Sequence, residues 1–408
     1  MTSSLVTKQE MDDREHVVAA RDRGRLSVLL ISSLAAATVL LVLLPINRSG
    51  FSGLMWIWAA VLAAVVVAFT LIPKESMNGR ASNMILVAGF LAFMIVFPIG
   101  RSNSTLIDMG LFVVFSIVVI GQNLTQGFAG QITLAQAAFL GIGAYTSVLL
   151  ETGREISLWG LTVDLPAVPF LWTIPIAVMV SMVLSVLVGM PALRVSGPWL
   201  AFVTLAFNLL VFLVLNNEEG LTGGARGIRI LRDEFTVLGI DMLPARNYYY
   251  LCLVFLVVAT LLVWWFVRCP WGRAFKAIRD NPGRASSLGV DVRAYTLLAF
   301  AIGSGLAGGA GALYGRLIEY IEPRAFFINQ SFDFLLATVV GGLGTLAGPF
   351  IGSSFVTVLA DRLRFTGDWY RVWFGLFVVV MMLVAPEGIA GSYNRFRAWV
   401  QHRRTGGS

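Results

Sequence analysis

Residues 248–267 read YYYLCLVFLVVATLLVWWFV, an unbroken apolar run without a charged side chain. A helix of about 20 apolar residues spans the hydrocarbon core of a bilayer. Backbone polar groups in lipid are satisfied only in helices or closed barrels, and the run lacks the alternating pattern of a barrel strand. Similar runs lie at residues 26–46, 52–73, 82–99, 105–125, 129–150, 168–189, 198–215, 295–315, 332–360 and 370–386. The sequence therefore predicts an all-α, polytopic membrane protein with about 10–11 transmembrane helices.

The overall composition agrees with that fold class. Of 408 residues, 57% are hydrophobic and only 13% are charged, with a mean hydropathy of +0.79. Soluble domains carry about 25% charged residues, so this chain has too little polar surface to cover a water-soluble particle. The net charge of +7 does not indicate nucleic-acid binding, because Lys8, Lys74 and Lys276 are the only lysines. We therefore expect the chain to contact membrane lipid and not to bind nucleic acid.

Charge distribution predicts the orientation. Residues 268–294 carry six basic side chains against two acids, and residues 391–408 carry four arginines without an acid. Both segments should be cytoplasmic by the positive-inside rule, whereas the mixed charges of residues 216–247 fit the outer face. Cytoplasmic N- and C-termini require that the stretch 332–360 is broken and re-entrant. Glycines and a proline at 341–349 interrupt it.

The chain divides into four predicted parts. Residues 1–25 form a cytoplasmic tail, and residues 26–100 form accessory transmembrane helices. The run 26–46 follows a tail of mixed charge and lacks a small-residue cleavage site, which indicates a retained anchor instead of a signal peptide. Residues 101–390 form the core, with a cytoplasmic loop at 268–294, and residues 391–408 form a C-terminal tail.

Amide side chains mark the first candidate site. The stretch 121–145 crosses the boundary between two runs and contains Asn123, Gln126, Gln131 and Gln136. An amide in hydrocarbon is costly unless it is hydrogen-bonded, so these side chains face other helices or a watery cavity. They therefore line a pathway for a small solute or join helices by hydrogen bonds. The break in the run 332–360, with Gly341, Gly342 and Gly344, is the leading pathway candidate, because irregular backbone at membrane depth is tolerated only where protein buries it or where it lines a cavity.

Small residues recur at every fourth position of the run 295–315. Gly303, Ala307, Gly311 and Gly315 form a smooth ridge along one helix face. Such a ridge lets a neighbouring backbone approach closely. It predicts tight helix packing, and a moving interface would use the same feature.

The basic loop has a local organisation of its own. Phe275 and Ile278 stand three residues apart, as on the apolar face of a short amphipathic helix. Asn281 followed by Pro282 is typical of a helix N-cap and first helical residue, and Gly289 is the expected stop. The segment is either a docking element for a soluble partner or an interfacial helix on anionic lipid.

The sequence lacks the motifs that mark nucleotide-binding and catalytic sites. There is no phosphate-binding Gly-x-x-x-x-Gly-Lys motif and no hydrolase or metalloprotease motif. His16 and His402 lie in the two tails, and Cys252 and Cys269 give no disulfide framework. We expect no catalytic residue, cofactor or metal site, and the chain cannot hydrolyse ATP by itself.

Taken together, the motifs resemble a transporter family. The chain is similar, from about residue 111 to residue 388, to the permease subunits of branched-chain amino acid ABC importers, specifically the longer of the two paired subunits. The similarity lies in the stretch 121–145 and in further motifs at 191–197 (PALRVSG), 200–205 (LAFVTL), 222–228, 272–289, 298–300 (LAF), 341–344 (GGLG) and 386–388 (PEG).

The resemblance implies partners and roles. The partners would be a second homologous permease subunit, two cytoplasmic ATP-binding subunits and an extracytoplasmic substrate-binding protein, in the bacterial inner membrane. The loop 272–289 resembles the family's ATPase coupling segment, although the family usually has two alanines at positions 284 and 285 and an apolar residue at 283. The residues assigned to coupling are Arg273, Lys276, Arg279, Arg284, Leu288 and Gly289, and the candidate contacts of the binding protein are Thr222, Gly223 and Gly224.

Three alternatives remain open from the sequence. Related permeases import urea or short amides, so the solute is not fixed. A channel or secondary transporter would move its solute without ATP. A membrane enzyme has no catalytic motif to support it.

Overall fold

The computed structural model describes residues 102–363, except 154, 159–160, 165, 193–197, 231–235 and 238, together with residues 94, 95, 98, 372, 375, 376, 379 and 388. The runs predicted at 26–46 and 52–73 lie outside the described residues, as do both tails and most of the runs 82–99 and 370–386. The described residues from Pro98 onward belong to one compact unit.

Helices account for most of this unit. They are α1 (Asn103–Gln122), which continues as a π-helix (Asn123–Phe128), α2 (Gln136–Thr152), α3 (Phe170–Ala192), α4 (Pro198–Asn217), α5 (Glu219–Thr222), α6 (Ala245–Arg268), α7 (Pro270–Asp280), α8 (Pro282–Ser287), α9 (Val292–Ile318), α10 (Ile328–Gly341) and α11 (Gly348–Leu363). Two 3₁₀ turns lie at Gly224–Arg226 and Pro323–Phe326.

Five helices of the described part are long and apolar enough to cross a membrane: α1 with its π-helix, α3, α4, α6 and α9. This confirms the all-α, polytopic fold class. In the most apolar stretch of α9, 83% of the residues are buried, against 28% in α3, α4 and α6. The helix α9 is therefore the centre of the unit, while the other three present apolar faces outward.

Glycines allow the central packing. α9 packs against α1, α2 and α3. A Cβ on Gly303 would lie 2.6 Å from the carbonyl oxygen of Gly121, and a Cβ on Gly121 would lie 2.5 Å from that of Gly303. A Cβ on Gly311 would overlap with the backbone of Leu140. The predicted small-residue ridge is thus a packing surface on which backbones touch directly.

The predicted interruption of the run 332–360 is confirmed. α10 ends at Gly341, α11 begins at Gly348, and the two helices pack against each other as an antiparallel hairpin. A Cβ on Gly352 would overlap with the backbone of Ala337. With 14 and 16 residues, the helices are about 21 and 24 Å long, each shorter than the roughly 30 Å hydrocarbon core.

One apolar run is not a continuous helix. The run 129–150 becomes helical only at Gln136. Gly130 adopts a left-handed backbone conformation with φ of 73°, which ends the preceding π-helix. In the segment before α2, threonine hydroxyl groups accept hydrogen bonds from the backbone. Thr204 Oγ1 accepts from the Leu134 amide at 3.0 Å, and Thr133 Oγ1 accepts from the Ala135 amide at 3.3 Å. Side chains here replace the helical hydrogen bonds that the apolar composition predicts.

Within the described residues, three short antiparallel strand pairs accompany the helices. β1 (Glu155–Leu158) pairs with β2 (Leu161–Asp164), and β4 (Thr236–Val237) pairs with β5 (Ile240–Asp241). β3 (Ile228–Arg229) pairs with β6 (Tyr320–Ile321), which ties the connection between α4 and α6 to the end of α9.

Candidate functional site

The turn between α10 and α11, residues 342–347, is bound by the side-chain amide of Asn123 in addition to hydrogen bonds of its own Thr345 hydroxyl with Gly342 and Gly348. Asn123 Oδ1 accepts a hydrogen bond from the Gly344 amide at 2.9 Å, and Asn123 Nδ2 donates to the Thr345 carbonyl at 2.8 Å. Gly344 has a φ of 71°, a left-handed conformation that suits glycine. Asn123 therefore joins the π-helix to the turn 342–347, and both the oxygen and the nitrogen of its amide are used in these bonds.

Gln126 also has a partner inside the chain. Its side chain is buried, and its Oε1 accepts a hydrogen bond from Gln122 Nε2 at 3.3 Å. Gln122 Nε2 donates as well to the Thr133 carbonyl at 2.9 Å. These amides bind the π-helix to the irregular segment 129–135, as the hydrogen-bonding interpretation predicts.

Gln131 lies beside a small cavity. The cavity has a volume of about 10 Å³, which is room for one water molecule, and its wall includes Gln131, Thr133, Thr204 and Thr296. Apolar residues at the ends of α3, α4 and α9 complete the wall. Gln131 is partly exposed, unlike the other three amides.

Gln136 differs from the other candidates because its amide is unused. The side chain has no exposed surface, and neither its oxygen nor its nitrogen has a hydrogen-bond partner among the described residues. A buried polar group without a partner costs about 1–3 kcal/mol. Gln136 therefore retains hydrogen-bonding capacity for a water molecule or a solute.

A second unused amide atom, which the sequence analysis missed, lies close to the backbone of Gln136. Asn208 Nδ2 donates to Ser331 Oγ at 2.6 Å and to the Leu134 carbonyl at 3.2 Å, while its Oδ1 is buried without a partner in the described part of the chain. Ser331 Oγ also accepts from the Ala137 amide at 3.1 Å. Asn208 interrupts the apolar run 198–215, so the criterion that selected the other amides would have found it.

The predicted local structure of the basic loop is confirmed. Phe275 and Ile278 are buried on one face of α7. Asn281 caps α8 by accepting the Arg284 amide at 3.0 Å, Pro282 is its first residue, and Gly289 follows with a φ of 82°.

Most of the residues assigned to coupling face outward. Leu288 is 83% exposed. Exposure extends to the other five members, which are Arg273, Lys276, Arg279, Arg284 and Gly289.

Arg279 connects the two groups of candidate residues. Its Nη1 donates to the carbonyl of Gly127 in the π-helix at 2.5 Å. A Cβ on Gly344 would overlap with the same nitrogen, and a Cβ on Gly130 would lie 3.1 Å from Arg279 Cα. The coupling segment, the end of α1 and the turn 342–347 therefore meet at this arginine. The break in the run 332–360 is thus packed against protein, as irregular backbone in a membrane protein must be unless it lines a cavity.

The segment 222–224 forms a compact turn. Thr222 is fully buried, and its Oγ1 donates to the carbonyls of Leu215 and Glu218 at 2.5 and 2.8 Å. The Gly224 amide donates to Thr222 Oγ1 at 3.2 Å, and both Gly223 and Gly224 have positive φ. Thr222 shapes the turn from within, and Ala225 and Arg226 are the exposed residues that follow it.

A buried ion pair was not expected from the sequence. Arg316 Nη1 in α9 lies 3.2 Å from Glu151 Oε1 near the end of α2, with the side chains 9% and 16% exposed. Glu151 stands in the sequence as a separator between two apolar runs, and nothing local to it points to a partner 165 positions away. The pair joins the ends of α2 and α9.

Comparisons with known proteins agree with the motifs. The sequence pattern of a family described as "Branched-chain amino acid transport system / permease component" matches residues 104–386. The permease protein LivM of the high-affinity branched-chain amino acid transport system of Escherichia coli (strain K12) is 26% identical over 83% of this chain and 86% of that protein. LivH of Salmonella typhimurium is 27% identical over 68% of this chain and 91% of that protein. No solved structure matches.

Replacing Asn123 by Ala should destabilise the protein, because the Gly344 amide and the Thr345 carbonyl both lose their partner. The expected loss is about 1–3 kcal/mol, measured as a lower unfolding temperature of the purified protein in detergent. Asn217→Ala is the matched control and should change little, because this exposed amide bonds only its neighbour Asn216 within the described part of the chain. Equal unfolding temperatures for the two variants would show that the Asn123 bonds do not hold the turn.

Proposed function

Because the chain belongs to the branched-chain amino acid transport system / permease component family, we propose that it carries branched-chain amino acids across the bacterial inner membrane as the permease subunit of an ABC importer. The main support for this proposal is the match of the family's sequence pattern to residues 104–386. It spans the amide residues, the coupling segment and the turn 342–347. The substrate class follows the relatives named as branched-chain amino acid permeases.

The proposed partners follow from the paired relatives. Similarity covers 83% of this chain for LivM and 68% for LivH, which supports the longer type of subunit and a second homologous permease as its companion. The resemblance to ABC permeases implies two separate cytoplasmic ATP-binding subunits that supply the energy, and the lack of a phosphate-binding loop in this sequence agrees with ATP hydrolysis outside this chain. The exposed Arg273, Lys276, Arg284 and Leu288 provide a basic surface with an apolar anchor for them.

The transport cycle requires that ATP binding favours one of two conformations. A ligand shifts such an equilibrium only by its different affinity for the two states. We place the coupling segment and both termini in the cytoplasm, with residues 101–390 as the transport core and residues 26–100 as accessory helices. The family is one of transport permeases, and we expect neither enzymatic activity nor a cofactor or metal in the cycle.

An extracytoplasmic binding protein would deliver the solute at the opposite face. The turn 222–224 fits this role as a rigid support, because Thr222 is fixed from inside while Ala225 and Arg226 are exposed next to it. The pairing of β3 with β6 links this turn to the end of α9. Binding of a protein at the turn can therefore act on the position of the central helix.

Among the amides, Gln136 is the strongest candidate for contact with the solute or with water that accompanies it. Asn123 and Gln126 already bond to partners within the chain, whereas both amide atoms of Gln136 and the Oδ1 of Asn208 have no partner among the described residues. Natural proteins satisfy most buried polar groups, so unused ones point to a partner that binds transiently.

Uptake of radiolabelled leucine into cells tests the proposed function. With the partner subunits present, uptake should require both this chain and ATP, and excess valine should compete while urea should not. ATP-dependent uptake of urea instead of leucine would replace the substrate and keep the importer. Leucine uptake without ATP would contradict an ABC importer and indicate a channel or secondary transporter.

Replacing Gln136 by Leu should separate transport from stability. No hydrogen bond is lost, so the unfolding temperature should stay equal or rise, while leucine uptake should fall about tenfold if one solute or water contact disappears. Gln122→Leu is the matched control. It removes the bonds to Gln126 and Thr133 and should lower the unfolding temperature. Wild-type uptake by Gln136→Leu would exclude Gln136 from the pathway.

A further inference from the structure

Arg279 stands apart from the other basic residues of the coupling segment. Arg273, Lys276 and Arg284 are exposed and have no hydrogen bond from their side chains within the described residues. Arg279 is also exposed overall, yet its Nη1 reaches the Gly127 carbonyl. A bond from a charged donor is roughly twice as strong as one between neutral groups. One basic residue of the segment is therefore anchored inside this chain.

Gly127, whose carbonyl accepts the hydrogen bond from Arg279, is connected directly to the turn 342–347. Gly127 and Asn123 belong to the same six-residue π-helix. Asn123 binds both Gly344 and Thr345, and a Cβ on Gly127 would overlap with the Gly344 nitrogen. The route from the coupling segment to the turn thus consists of two sets of hydrogen bonds separated by a single turn of helix.

Gly344 and Gly130 lie so close to Arg279 that neither position has room for a side chain larger than the hydrogen atom of glycine. A Cβ on Gly344 would overlap with Arg279 Nη1, and the backbone of Gly130 lies against the aliphatic part of the same side chain. Because the three segments are in van der Waals contact, α7 cannot move toward the turn without displacing it. Movement of α7 away from the turn is resisted by the hydrogen bond from Arg279 to the Gly127 carbonyl.

We propose that Arg279 is a positioning residue that transmits the movement of the coupling segment to the turn between α10 and α11. This rests on the proposed function, since ATP binding in a separate subunit supplies the movement. When the ATPases pull or release α7, the guanidinium carries the end of α1 with it, and Asn123 carries the turn. Arg279 therefore links ATP binding to the conformation of the transport core, and its role is distinct from a contact to the ATPases.

The test follows the turn directly in the assembled transporter. Leu346, which is partly exposed, is replaced by Cys in a Cys269→Ser background, and its reaction rate with a maleimide is measured with and without ATP. With Arg279 present, the rate should change on ATP binding. In Arg279→Ala it should stay constant, and leucine uptake should fall about tenfold while the ATPase subunits remain bound.

Arg293→Ala is the matched control, because Arg293 is an exposed arginine at the same end of the unit and its guanidinium has no partner in the described part of the chain. It should keep the ATP-dependent change of the Leu346→Cys rate. If Arg279→Ala keeps that change as Arg293→Ala does, the proposal is wrong.

A second variant covers the case in which Arg279→Ala does not assemble. Asn123→Asp keeps the acceptor for the Gly344 amide but loses the donor to Thr345, and Asn123 lies away from the exposed basic surface. Since one of the two bonds to the turn is lost, it should also reduce the ATP-dependent rate change, and retention of the full change would overturn the proposal. Failure of the wild type to transport leucine with ATP would refute the proposed function, whereas normal wild-type transport with an unaffected Arg279→Ala would refute only this inference.

Discussion

The bonds of the Asn123 amide to the Gly344 nitrogen and the Thr345 oxygen are the interaction on which the arrangement of the inner segments depends. Two short helices that meet inside a membrane protein leave backbone groups without helical partners, and these groups are costly in a medium without water. One buried amide supplies a donor and an acceptor to the connecting turn. Together with the buried hydrogen bond between Ser116 in α1 and Ser353 in α11 at 2.7 Å, that contact sets the position of α10 and α11 relative to α1.

Glycine determines how closely the remaining helices surround this point. Gly121 and Gly303 bring the backbones of α1 and α9 into direct contact, so the π-helix that follows Gly121 has a fixed starting position. π-Helical turns are frequent at functional sites, where the wider turn presents backbone carbonyls sideways. Here the carbonyl of Gly127 is the one that Arg279 binds. Packing, an irregular helix and one charged donor together produce a mechanical link.

The features that the sequence predicted are those encoded locally. The amphipathic spacing of Phe275 and Ile278 and the cap at Asn281 depend on residues within one or two helical turns, and the structure confirms them. The break in the run 332–360 was likewise readable from its glycines. The link from Arg279 to Gly127 joins positions 152 apart, and that from Asn123 to Gly344 joins positions 221 apart. Nothing in local composition distinguishes a bonded amide such as Asn123 from an unused one such as Gln136, so only the fold separates the two roles.

Because Arg279 packs against Gly344, the turn 342–347 must lie at the same face of the membrane as the coupling segment. Labelling of Leu288→Cys and Leu346→Cys, each in a Cys269→Ser background, by a membrane-impermeant maleimide tests this placement in vesicles of both orientations. We expect both variants to react faster in inside-out than in right-side-out vesicles. Reaction of Leu346→Cys from the face opposite to that of Leu288→Cys would contradict this placement.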